Sequence, residues 1–104
     1  MALQVAIVGM NKIGVSIGLA LSKYPDSLTC VGYDQEVSNA RAAAKIGAIS
    51  KSYIALHRCI KNASVIILAC PLDDVRENLE IIADHAPSGA AVIETSPVKS
   101  KGAE

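Results

Sequence analysis

The sequence contains no phenylalanine and no tryptophan, and its only aromatic residues are 3 tyrosines among 104 residues. Because 51% of the residues are nevertheless hydrophobic, the core has to be built from valine, isoleucine, leucine and alanine. Such a composition is typical of parallel sheets that are covered by helices. A chain of this length forms one domain, here residues 1–104, and is long enough to bury a core of that type.

The sequence also lacks an excess of charge, since 10 basic residues balance 10 acidic ones. No basic block is present, which argues against nucleic acid as a partner. No apolar run is long enough to span a membrane, and the chain starts in a strand-like segment rather than in a basic and apolar leader. We therefore expect a cytoplasmic protein without a signal peptide.

Cysteine is scarce, and histidine is scarcer. Cys30, Cys59 and Cys70 form no C-x-x-C pair, and each lies among apolar residues, so we interpret them as reduced thiols. His57 and His85 have no neighbours at metal-ligand spacing, and we expect both at the surface. The sequence therefore predicts neither a catalytic residue nor a metal site.

What the sequence does contain is an alternation of strand-like and helix-like segments. Strands are predicted at 3–8, 28–33, 64–70 and 90–93, with a weak one at 48–50, and helices at 12–23, 36–46, 53–61 and from Pro71 onwards. Apolar residues recur at helical spacing in the first helix (Ile13, Ile17, Ala20 and Leu21), and Ile54, Leu56 and Ile60 are expected to face inward in the third.

This alternation predicts an α/β fold, namely a Rossmann-type doubly wound parallel sheet of about five strands in the order 3-2-1-4-5. In such a sheet, ligands bind at the switch point of the strand order, where the carboxyl ends of strands one and four lie.

The first strand runs into a glycine turn. Gly9 and Gly14 occupy the first and third glycine positions of the dinucleotide-binding pattern G-x-G-x-x-G, and Asp34 follows twenty residues after Gly14. The glycines allow a tight turn and close packing, and the helix N-terminus binds a pyrophosphate. Asn11 replaces the second glycine and brings a side chain to the place where the backbone approaches the phosphates. Lys12 is either a phosphate contact or a solvated lysine.

An acidic residue at position 34 suits the ribose hydroxyls of adenosine and repels a 2′-phosphate, so the sequence favours NAD over NADP as the cofactor. The alternative is that Asp34 only caps the helix that starts near Glu36. Cys70 and Pro71 end the fourth strand at the mouth of the expected cleft, beside the ribose and nicotinamide. The predicted cofactor-binding residues are Gly9, Met10, Asn11, Lys12, Ile13, Gly14, Asp34, Gln35, Cys70, Pro71, Leu72 and Thr95.

Five segments together resemble the prephenate and arogenate dehydrogenase family along the whole chain. The family's opening, I-V-G-x-G-L-I-G-G-S, is similar to residues 7–16, and the end of its second strand is similar to residues 31–34. Its x-x-G-A-I segment is similar to residues 45–49, its V-I-L-A-V-P strand to residues 65–71, and its D-x-x-S-V-K segment to residues 94–99. The resemblance implies an NAD(P)-linked oxidative decarboxylation in tyrosine biosynthesis. The sequence departs from the family pattern at Asn11 and Pro97, and by this resemblance it stops before the family's catalytic histidine and helical second domain.

The leading hypothesis is therefore the cofactor domain of a prephenate-dehydrogenase-like oxidoreductase, which binds a nicotinamide dinucleotide and is inactive alone. A small-molecule substrate requires a second domain or a partner chain, and the resemblance also admits a homodimer. Two alternatives stay open. One is a stand-alone or vestigial nucleotide-sensing module that regulates a partner, and the other is the cofactor domain of a β-hydroxyacid-type dehydrogenase.

Overall fold

Strands and helices alternate along residues 3–95, which are the residues that the computed structural model describes. The elements are β1 (Leu3–Val8), α1 (Lys12–Leu21), β2 (Leu28–Tyr33), α2 (Val37–Lys45), β3 (Lys51–Tyr53), α3 (Leu56–Cys59), β4 (Val65–Leu68), α4 (Leu72–His85) and β5 (Ala91–Glu94). Positions 96–99 of the family-like segment lie outside the described residues, and the description does not extend to the side chains of Leu72 and Asp73.

The five strands form one parallel sheet in the order β3-β2-β1-β4-β5, so the predicted fold class and strand order are confirmed. β1 lies at the centre, where Val8 pairs with Tyr33 of β2 on one side and with Leu68 of β4 on the other. The strand order reverses at β1, which makes the carboxyl ends of β1 and β4 the switch point of the sheet.

Each face of the sheet carries its own apolar core, because successive side chains of a strand point to opposite faces. One core contains Val8 and Ile66 from the sheet together with Ile60 at the end of α3. The other contains Ile7 from the sheet together with Ala43 of α2. Both cores have the aliphatic composition that the sequence predicts. Over residues 3–95, every helix is too short or too polar to span a lipid bilayer.

The third strand and the third helix differ from their predictions. The sequence predicts a strand at 48–50, but Ala48 and Ile49 are buried in a core, and pairing with β2 begins only at Lys51, which lies beside Val31. Ile54 is 73% exposed rather than inward-facing, because α3 begins after it. Short segments of this kind carry too few residues for their periodicity to place them accurately.

The buried face of α1 also differs from its prediction. Ile17 and Leu21 are partly buried against a core, whereas Ile13 is 39% exposed. The fully buried residues of this helix are Gly14 and Gly18. A Cβ atom on Gly18 would overlap the carbonyl oxygen of Ala48, so the helix backbone itself packs against the chain that leads into β3.

Candidate functional site

A cleft of about 720 Å³ opens where β1, β2 and β4 end. This volume is within the range of about 300–1,000 Å³ that is typical of sites for small molecules and cofactors. The cleft lies at the switch point of the sheet, as predicted. Its lining consists of Val8, Gly9, Asn11, Tyr33, Asp34, Gln35, Glu36, Asn39, Cys70, Pro71, Asp74, Glu77, Asn78 and Ile81.

The glycine turn after β1 contributes to this cleft. Gly9 has a φ of +104°, a conformation that favours glycine. A Cβ atom on Gly9 would lie 2.7 Å from the backbone nitrogen of Cys70, and a Cβ atom on Gly14 would overlap the carbonyl oxygen of Gly9. The two glycines therefore provide the tight turn and the close packing of α1 that the sequence pattern predicts.

Asn11, at the second glycine position, is the N-cap of α1. Its Oδ1 atom accepts a hydrogen bond of 3.0 Å from the backbone N–H of Gly14. Its Nδ2 atom donates a hydrogen bond of 2.7 Å to the carbonyl oxygen of Ala69. The backbone of Asn11 is extended, with φ −86° and ψ −166°, so the asparagine fits without strain and links the turn to the end of β4.

Asp34 lies at the same turn and joins it to the end of β2. Its Oδ2 atom accepts a hydrogen bond of 2.7 Å from the Met10 N–H, and its Oδ1 atom accepts one of 2.7 Å from the Glu36 N–H. The N-cap of α2 is Glu36, so Asp34 supports the turn before α2 without capping that helix. A carboxylate has about four lone-pair positions, which leaves Asp34 able to accept hydrogen bonds from a ligand in the cleft.

Cys70 and α4 form the opposite wall of the cleft. Cys70 is buried, and its sulfur accepts a hydrogen bond of 3.3 Å from Nδ2 of Asn78. Burial raises the pKa of the Cys70 thiol above its ordinary value, although the hydrogen bond from Asn78 acts in the opposite direction. Because the thiolate is the reactive form of cysteine, this environment argues against a nucleophilic role for Cys70.

The charge of the cleft is negative. Within the described part of the chain, the charged side chains that line it are all carboxylates, namely Asp34, Glu36, Asp74 and Glu77. Burial raises the pKa of Tyr33, and the negative charges of Asp34, Glu77 and Asp74 raise it further. An anionic group is therefore disfavoured in most of the cleft. The exception is the N-terminus of α1, where the helix dipole is positive.

Only part of the predicted site lines the cleft. Gly9, Asn11, Asp34, Gln35, Cys70 and Pro71 do so. Met10 is 3% exposed and belongs to a core beneath the turn, while Lys12 and Ile13 lie exposed on α1 outside the lining. The hydroxyl of Thr95 donates a hydrogen bond of 2.9 Å to the Leu68 carbonyl and thereby joins the end of β5 to β4. The cofactor contacts of all these residues stay predictions.

Sequence reasoning assigned only the start of α4, Pro71 and Leu72, to the site and missed the residues further along this helix. The cleft is lined by four such residues, Asp74, Glu77, Asn78 and Ile81. The last three follow Asp74 by three, four and seven positions, which places all four on one face of the helix. Such a polar stripe on the helix that follows β4 is the signal that would have found them. The cleft is also lined by four residues that were not predicted as site residues, namely Val8, Tyr33, Glu36 and Asn39.

The remaining His, Cys, Asp and Glu residues are the candidate ligands for a metal site. Across residues 3–95, no three His, Cys, Asp or Glu side chains are arranged to hold a metal ion. His57 and His85 are exposed, as predicted, with their ring centroids 5.3 Å apart. The described cysteines are buried thiols that form no disulfide.

Residues 17–104 match the model of a protein family described as the nucleotide-binding domain of prephenate dehydrogenase. This match includes most of the chain. The chain belongs to this family.

Solved structures of a prephenate dehydrogenase and of an arogenate dehydrogenase have the same fold. Prephenate dehydrogenase from A. aeolicus, solved with hydroxyphenyl propionate and NAD+, has a TM-score of 0.84 and 21% identity, over 97% of this chain and 36% of that chain. Synechocystis arogenate dehydrogenase has a TM-score of 0.84 and 22% identity, over 98% of this chain and 36% of that chain. The chain thus spans about a third of the length of these dehydrogenases.

The fold extends to enzymes with other activities. A pyrroline-5-carboxylate reductase from Coxiella burnetii has a TM-score of 0.81 and 12% identity, over 92% of this chain and 36% of that chain. No curated protein sequence is significantly similar to the chain. The family assignment therefore depends on the family model, while the solved structures support the fold.

Proposed function

We propose that this chain is the cofactor domain of an oxidoreductase that acts on prephenate or arogenate, and that it binds a nicotinamide dinucleotide, NAD rather than NADP. The observation that carries the proposal is the position of Asp34, which lines the switch-point cleft and is joined to the glycine turn through the Met10 N–H. Membership in the prephenate dehydrogenase nucleotide-binding family supports the same class of ligand.

The cleft contains features that suit each part of such a cofactor. Asp34 would accept hydrogen bonds from the adenosine ribose, and the first N–H groups of α1, those of Lys12, Ile13 and Gly14, would bind the pyrophosphate. The Gly9 backbone packs so closely against Cys70 that only glycine fits there, which supports the tight turn that the binding pattern requires of its first glycine. When bound, the nicotinamide ring supplies the hydride acceptor.

The preference for NAD follows from charge. A 2′-phosphate on the adenosine ribose would lie close to Asp34, and Glu36 is the next acidic side chain in the lining. No lysine, arginine or histidine lines the described cleft to compensate for that phosphate. Like charges at short distance repel each other, and this repulsion disfavours NADP.

We further propose that the chain binds the cofactor but does not catalyse the oxidation alone. The Cys70 thiol is held protonated by its raised pKa, and the two histidines lie outside the described lining of the cleft. Because the chain spans 36% of the related dehydrogenases, the substrate site and the group that assists the reaction would come from a second domain or a partner chain.

Calorimetric titration with NAD, and then with NADP, tests the proposal. We expect saturable binding of NAD and weaker binding of NADP. Asp34→Ala should weaken NAD binding by roughly tenfold or more, since it removes hydrogen bonds to a charged group. Asp84→Ala removes an exposed carboxylate of α4 that does not line the cleft, and it should leave the affinity unchanged. A folded parent protein that binds neither dinucleotide contradicts the proposal.

A second candidate function is a stand-alone nucleotide-sensing module that regulates a partner, and the specific observation in its favour is Asn11. Its side chain lines the cleft where the binding pattern has a glycine. The encoding transcript distinguishes the two functions. A reading frame that continues into a helical domain with a histidine supports the enzyme, whereas a stop codon directly after position 104 supports the module. Oxidation of prephenate or arogenate by the chain alone would contradict both.

A further inference from the structure

The N-terminus of α1 is where a pyrophosphate would bind, and the side chain of Asn11 already uses part of it. A helix leaves its first four N–H groups without an intrahelical acceptor. In α1, one of these groups, the Gly14 N–H, donates to Oδ1 of Asn11 at 3.0 Å. The Asn11 side chain therefore accepts the hydrogen bond that this N–H group would otherwise donate to a bound anion.

The other end of the same amide is also bonded. Nδ2 of Asn11 donates at 2.7 Å to the carbonyl oxygen of Ala69, whose own N–H donates at 2.8 Å to the Val8 carbonyl. Ala69 is buried, so its carbonyl has limited access to solvent. The Asn11 side chain thus spans the two strands that flank the switch point, while it lines the cleft itself.

We propose that Asn11 is an internal cap of the phosphate-binding turn, and that a dinucleotide has to displace it in order to bind. This inference depends on the proposed function. A bound phosphate replaces the acceptor that the Gly14 N–H loses, but an ionised phosphate has no proton to donate to the Ala69 carbonyl. Displacement therefore has a net cost, and the chain binds dinucleotides more weakly than it would with a glycine at position 11. The same cap keeps the turn ordered when no ligand is bound.

Titration of NAD into variants of position 11 tests this inference. Asn11→Gly removes the competing side chain, and we expect it to bind NAD roughly tenfold more tightly than the parent. Asn11→Ser keeps an oxygen that can cap α1 but is too short to reach Ala69, so its affinity should lie between the two. Asn62→Gly is the matched control, because Asn62 is exposed and lies outside the lining of the cleft. Its affinity should equal that of the parent.

An Asn11→Gly variant that is folded by circular dichroism, but binds NAD no more tightly than the parent, overturns the inference. A second measurement needs no variant. In nitrogen-15 NMR spectra of the parent, saturation with NAD should shift the side-chain amide of Asn11 and the backbone amide of Gly14, and should accelerate hydrogen exchange of the Asn11 amide. Unchanged signals at saturation overturn the inference, even if Asn11→Gly does not fold.

Failure of this inference can be distinguished from failure of the proposed function. If the parent binds NAD and Asp34→Ala weakens binding, but Asn11→Gly does not strengthen it, only the inference about Asn11 fails. If the parent and Asn11→Gly are both folded and neither binds NAD, the proposed function fails, and the inference fails with it.

Discussion

The Asp34 carboxylate accepts a hydrogen bond of 2.7 Å from the backbone N–H of Met10, a residue 24 positions earlier in the chain. Through this bond, the end of β2 is fastened to the glycine turn after β1. The other carboxylate oxygen accepts a bond from the Glu36 N–H. The residue that we propose for ribose binding therefore also stabilises the loop in the absence of a ligand, and its substitution should affect stability as well as affinity.

We expect Asp34→Asn to lower the free energy of unfolding by about 1–3 kcal/mol, because an amide has only one acceptor atom and places an NH₂ donor against one of two backbone N–H groups. Chemical denaturation of the parent and the variant measures this loss. The control is Asp84→Asn, an exposed position on α4, which should change stability by less than about 0.5 kcal/mol. Equal losses in both variants would show that the carboxylate has no special structural role.

The negative lining of the cleft predicts how the two dinucleotides differ with salt. NADP should bind roughly tenfold or more weakly than NAD at low ionic strength, and the difference should shrink as salt screens the carboxylates. Glu36→Lys should narrow the difference, since position 36 lines the cleft. Glu80→Lys makes the same change of charge on α4 outside that lining and should not. Titrations at two salt concentrations measure both effects, and a difference that salt leaves unaltered would contradict the electrostatic explanation.

The sheet and its cleft could be predicted because they follow from strong local patterns. The two central strands β1 and β4 are largely aliphatic and each leads into a turn, as in residues 3–8 before Gly9. Alternation with helices then allows few topologies. The positions of Gly9, Gly14 and Asp34 then locate the cleft at one end of the sheet. These features follow from residue types at fixed spacings in the sequence, so they can be predicted without knowledge of the tertiary contacts.

The details that could not be predicted depend on contacts between distant parts of the chain. The bond from Asn11 to Ala69 joins residues 58 positions apart, and no local pattern indicates which carbonyl an asparagine reaches. β3 begins only at Lys51, since Ala48 and Ile49 before it are buried in a core. From the sequence alone, Gly18 is a residue that weakens a helix, and only the structure shows its contact with Ala48.

That contact predicts an unusual response to alanine. In an exposed helix, Gly→Ala stabilises by up to about 1 kcal/mol. Gly18→Ala should instead destabilise the protein by about 1–3 kcal/mol, because the new Cβ atom would overlap the backbone carbonyl of Ala48, which cannot move without shifting the chain that leads into β3. Thermal or chemical unfolding measures the change.

Gly89→Ala is the comparison for this variant. Gly89 has a φ of +87°, and nothing lies within 4 Å of a Cβ atom built there, so alanine meets backbone strain alone, about 1–2 kcal/mol. A Gly18→Ala variant as stable as the parent would mean that α1 lies further from Ala48 than the structure places it.

The stability of the protein at alkaline pH should depend on Cys59. This residue is fully buried in a core, and burial raises the pKa of its thiol from 9.0 to about 12. Between these values the unfolded chain releases the thiol proton while the folded protein retains it, so the free energy of unfolding should fall as the pH rises from about 9 towards 12. Below pH 9 the contribution is fully present. Urea denaturation at several pH values measures the slope, which should be smaller in Cys59→Ala, even though that variant is less stable at every pH because it contains a small cavity. Parallel pH profiles for the parent and Cys59→Ala would contradict the assignment, since groups such as Tyr33 would then account for the whole alkaline effect.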